Sequence, residues 1–138
     1  MWHLFQIGAL VATMQTRVYS ASCTPGIEWT FTLGDQVPPW PAKDDAPSLT
    51  PRAATQAARA FVRRTSCADA DGWDVLQINL RRIEAVPDAW MYIVTFRPKF
   101  ELPSGSQAGA RLGYLIDVPV LLSGVVPKVS AKPAASRR

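Results

Sequence analysis

Histidine is almost missing from this chain: the single one, His3, lies at the amino terminus. Without an imidazole in residues 23–138, no serine or cysteine triad of the usual form can be assembled there. Cys67 likewise has no histidine to act as its base. The only other cysteine is Cys23, and two thiols with His3 cannot supply the four ligands of a structural zinc site, so neither metal nor cofactor is expected. None of the eight glycines belongs to a phosphate-cradling loop. The apolar run Leu4 to Met14 is too short to span a bilayer.

Charge is moderate. The formal net charge is +4 and the pI about 9.4, which superficially suggests a nucleic-acid partner. However, Arg17 lies near the amino terminus, and Lys128, Lys132, Arg137 and Arg138 lie near the carboxyl terminus. Without these five, ten basic groups face eleven acidic ones. No RNA-binding aromatic motif or helix-turn-helix pattern accompanies the helix arginines Arg52, Arg59 and Arg63, so these read as a solvated face and no nucleic acid is expected.

What is present begins with residues 1–22, which read as a secretory signal, the alternative being a buried N-terminal helix or strand. The apolar run Leu4–Met14 is followed by Val18-Tyr19-Ser20-Ala21-Ser22, small enough for cleavage after Ser20 or Ser22. The expected location is therefore exported, periplasmic or extracellular. Ser20-Ala21-Ser22-Cys23 also resembles a lipobox, so a membrane partner is expected only if Cys23 is lipidated. Otherwise a Cys23–Cys67 disulfide is open, as for any exported cysteine pair.

Residues 23–129 read as one domain, with a proline-rich loop over 34–48 and a disordered tail over 130–138. Ile27, Trp29, Phe31 and Leu33 alternate with Glu28, Thr30 and Thr32, the pattern of a half-buried strand. The loop carries Pro38-Pro39-Trp40-Pro41; Trp40 is a binding candidate as part of a polyproline ligand, or it simply packs down onto the surface. Leu49 to Thr65 predicts the one helix, with Thr50 as N-cap, Pro51 at the first helical position, and Ala54, Ala57, Ala58, Phe61 and Val62 on one face. Asp69, Asp71 and Asp74 around Gly72 lack EF-hand spacing and read as a turn.

Trp73–Ile83 predicts a second strand, with Leu76, Ile78 and Leu80 on one face. A hairpin loop over Glu84–Ala89 leads to Trp90–Arg97, bulky on both faces and so central. Leu112–Leu122 predicts a fourth strand, in which Pro119 demands a bulge or an edge. After a Ser123-Gly124 turn, Val125–Val129 is expected to return as a short fifth strand.

Leu49-Thr50-Pro51-Arg52, the Trp90–Phe96 strand and Val118-Pro119-Val120-Leu121-Leu122-Ser123-Gly124-Val125-Val126 resemble a loose group of small exported bacterial proteins of unknown function with a PepSY-like or cystatin-like domain. The resemblance implies an α+β fold, one main helix on a four- to five-stranded antiparallel sheet. Gln107-Ala108-Gly109 does not reproduce the cystatin inhibitor hairpin, so protease inhibition is not implied. The functional expectation is a non-enzymatic binding or accessory domain whose partner is unknown, a protein being one candidate. The alternatives are an enzyme or ligand-binding protein using the open sheet face around Asp117, whose carboxylate could act as a general base, or a protein-docking structural component.

Overall fold

The helix forms where its capping residues place it. In this computed structural model α1 spans Pro51–Arg64. The Ala53 amide donates to the Thr50 hydroxyl at 3.2 Å, satisfying one of the orphan donors of the first turn. Ala54, Ala58, Phe61 and Val62 are buried and Ala57 is half-buried, so the small-residue stripe faces inward as expected. Arg52, Gln56 and Arg63 are exposed. Arg59 instead reaches across to donate to the Trp73 carbonyl at 3.3 Å, its guanidinium carbon 5.7 Å from the centre of the Phe96 ring.

The structure describes residues 12–20, 23–33, 40, 46–64, 73–83, 88–98 and 115–133. Six strands lie among them: β1 Ala12–Ser20, β2 Cys23–Leu33, β3 Trp73–Arg82, β4 Trp90–Pro98, β5 Ile116–Leu121 and β6 Lys128–Pro133. They form two three-stranded antiparallel sheets, ordered β1-β2-β6 and β3-β4-β5. This corrects the single four- to five-stranded sheet covered by one helix; the fold is mainly β. The physical reason lies in β2. Trp29 and Phe31 are almost wholly buried, and burying them takes a second layer that α1 alone cannot supply.

The two layers share one core. Phe61 of α1 meets Trp29 edge-on at 5.1 Å and Phe31 at 5.5 Å. Tyr92, Val94 and Phe96 of β4 and Ile116, Val118 and Val120 of β5 complete it. The opposite face of β4 and β5 is also buried. There Met91, Ile93 and Leu121 pack with Leu33, Ile83 and Ala89, and Met14 of β1 touches both clusters. The face that the sequence reading leaves open is therefore closed among the described residues. The expected central place of the Trp90-led strand is the one β4 takes.

Three segments differ from expectation. The second half of the segment read as a leader forms β1, with Thr13 and Gln15 exposed, Met14 half-buried and Thr16 buried. Ser123-Gly124 does turn, with Gly124 at φ 87° and its amide bonded to the Leu121 carbonyl at 2.8 Å. Yet the chain does not return beside β5. It crosses through buried Pro127, which has no N–H for a ladder, and pairs with β2, placing Val129 opposite Phe31. The tail expected from Ser130 is thus strand as far as Pro133. Finally, a bulge between Val75 and Gln77 turns Leu76 outward, 44% exposed, while Val75, Ile78 and Leu80 pack on the core.

Candidate functional site

Asp117 sits on β5 where that strand lies against β1. Its carboxylate accepts from the Thr95 hydroxyl at 2.5 Å, and its backbone amide donates to the Thr16 hydroxyl at 3.1 Å. Thr95 and Thr16 are both buried. The arrangement ties three strands from two sheets together, and both polar contacts of Asp117 are structural. The general-base reading requires a carboxylate facing a substrate pocket; this one faces a buried threonine.

Trp40 packs down, as the simpler reading of its loop expects. Its amide donates to the Asp88 carbonyl at 2.8 Å, and its ring meets Trp90 at 5.4 Å and 74°. Asp88 adopts a positive φ of 54° at this hairpin, so the loop contact is built on a tight turn. The Trp40 indole Nε1 is buried without a hydrogen-bond partner among the described residues. That costs about 1–3 kcal/mol of desolvation, which the ring contacts must offset.

The other sequence candidates fall elsewhere. Cys67 and the Cys23 side chain lie outside the described residues, and with them the disulfide and the lipidated cysteine. So do Asp69, Asp71 and Gln107-Ala108-Gly109. Among the described residues no group of three or more histidine, cysteine or acidic side chains could hold a metal ion. No described helix is long and apolar enough to cross a membrane.

The sheet edges differ from one another, and this difference is the informative geometry. Each three-stranded sheet has two outer strands, giving β1, β6, β3 and β5. β1 and β5 lie against each other and are joined by the Thr16–Asp117 bond. β6 is blunted by Lys128, Lys132 and Pro133, with Lys132 held to Glu28 at 3.2 Å. β3 is guarded only at its two ends, by the bulge at Leu76 and by Arg81 and Arg82; Gln77–Leu80 has no charge and no proline, and no strand lies on its outer side among the described residues. Its first carbonyl, that of Trp73, is taken by Arg59, so the open edge starts beyond it. Leu76 stands exposed at the start of that stretch.

Sequence reasoning missed this edge because it placed Leu76 in the inward set. Strict alternation cannot reveal a bulge, and the only signal was the adjacent apolar pair Val75-Leu76. No family model, curated protein or solved structure matches the chain.

Proposed function

We propose that the protein is a non-enzymatic binding domain that docks an extended protein segment along the outer edge of β3. The observation that carries this reading is the edge itself: among the described residues no strand lies outside β3, the stretch Gln77–Leu80 carries no charge and no proline before Arg81 and Arg82, and it follows an exposed leucine. An unpaired edge presents a row of amide donors and carbonyl acceptors that an added strand satisfies, while alternate side chains supply specificity. The polar candidates for chemistry are meanwhile engaged in holding the fold, Asp117 with Thr95 and Thr16 above all.

Export is part of the proposal, supported by the Leu4–Met14 run and its small-residue exit. Cleavage after Ser20 or Ser22 would remove β1 and uncover the edges of β2 and β5, so docking on β3 is proposed for the chain that retains residues 12–20.

The test is a photo-crosslinking residue at position 76 of the full chain, with a second at Lys128 as the control edge. The expected result is a defined partner captured from position 76 and not from 128, its complex with purified protein lost in Leu76→Lys. Equal capture at both positions, or a complex indifferent to Leu76→Lys, contradicts strand docking.

A further inference from the structure

We infer that the strand that seats on β3 is β3 of a second copy, in a two-fold antiparallel pair centred on Ile78. This rests on the strand-docking reading above and adds the identity of the occupant. The argument is one of self-complementarity. A two-fold contact must place each residue of a patch opposite its own symmetry mate or partner, and opposed residues in an antiparallel pair must lie on one face.

β3 meets both conditions once its bulge is counted as two residues against one. Gln77 and Asn79 register with Thr95 and Ile93 of β4, so they share the face turned away from α1. Centring on Ile78 brings Gln77 opposite Asn79 of the second copy. On the helix side, Leu80 then meets the bulged pair Val75 and Leu76, counted as two residues against one. The bulge absorbs one residue, so the next position pairs Arg81 with Asp74 instead of mismatching the faces.

Both of these register with odd-numbered β4 residues, Met91 and Arg97, and so lie on the same face. The outcome is two symmetry-related cation–carboxylate pairs flanking two leucine contacts. The exposed Leu76 side chain is covered, and the pairing stops short of the Trp73 carbonyl held by Arg59. Pairing the bulged strand one residue against one throughout would set Arg82, which registers with Trp90, opposite Asp74, which registers with Arg97 on the other face. The joined molecule would be a continuous six-stranded sheet, β5-β4-β3 followed by its mate.

The test is sedimentation equilibrium of the full chain over a wide concentration range, with Leu76→Lys, Arg81→Glu and, as the control edge, Lys128→Ala. Leu76 and Arg81 are exposed, so thermal melts of these variants should match the parent, excluding misfolding. The expected result is a reversible dimer, weakened about tenfold or more by Leu76→Lys and by Arg81→Glu, since each change counts twice across the two-fold axis. Lys128→Ala leaves it unchanged. A dimer indifferent to both β3 variants overturns the inference, as does a chain that stays monomeric throughout. A monomer that still captures another protein from position 76 removes self-pairing while leaving strand docking standing.

Discussion

Thr16→Val is the sharpest probe of how the two sheets are joined. The substitution is nearly isosteric, so it opens no cavity and keeps the β propensity of the strand. It removes one thing, the hydroxyl that accepts the Asp117 amide at 3.1 Å. Thr16 is 6% exposed and Asp117 half-buried, so water replaces that acceptor only in part. A backbone amide left without a partner costs about 1–3 kcal/mol, and partial access to water puts the loss in the lower half of that range, about 1–2 kcal/mol. In a chain of this size the melting midpoint should fall by roughly 3–6 °C for each kcal/mol. Urea denaturation followed by tryptophan fluorescence reads the change, and Thr13→Val on the exposed side of β1 is the control. Intact mass of the same sample establishes that residues 12–20 are present. A Thr16→Val midpoint equal to that of Thr13→Val, in protein that retains β1, would refute the claim that this bond joins the sheets.

The other predictions concern the core, the helix and pH. Phe61→Ala removes the ring that joins Trp29 and Phe31 to α1 and should cost about 3–5 kcal/mol in denaturant; a loss under 1 kcal/mol would mean the sheets do not share this core. Ala58→Gln forces bulk into a fully buried position and should cost roughly 1–3 kcal/mol, whereas Gln56→Ala on the outer face should be close to neutral. Thr50→Ala deletes the cap and should lower stability by about 0.5–2 kcal/mol, with helix signal lost in circular dichroism. Burial raises the Tyr92 phenol above its ordinary 10.0, its hydroxyl donating to the Leu49 carbonyl at 2.8 Å. The neutral form is the one the fold favours, so this contribution is whole below pH 10 and is lost as pH rises from there through the folded-state value. Tyr92→Phe should flatten that alkaline loss while lowering stability at neutral pH by about 0.5–1.5 kcal/mol.

Local signals in the sequence were reliable where a local cause set the structure. Thr50-Pro51 starts the helix, the alanine stripe chooses its inward face, and the bulk on both faces of Trp90–Phe96 marks a central strand. Pro119 likewise lies on an outer strand, where its missing N–H interrupts no ladder on that side. What escaped was set by distant partners. Thr16 meets Asp117 across a separation of 101 residues, and nothing local to either residue announces the other. Met14-Gln15-Thr16-Arg17 has no apolar alternation to mark a strand, and the apolar run and small residues around it carry the pattern of a leader. Val125–Val129 reads locally as a return beside the nearest strand, although the proline at 127 and the half-buried Val129 suit the more distant β2. The candidate site was hidden for a related reason. Leu76 lies in an apparently regular alternation, and only the ladder with β4 shows the extra residue that turns it out.

The open edge of β3 is the claim on which the functional account depends, and residue-level hydrogen exchange of the full chain tests it most directly. Outward-facing amides between Gln77 and Arg82 should exchange quickly in dilute protein and gain protection as concentration rises, while those of Lys128–Lys132 stay unchanged. Slow exchange along β3 at every concentration, or protection that grows on β6 instead, would contradict the account.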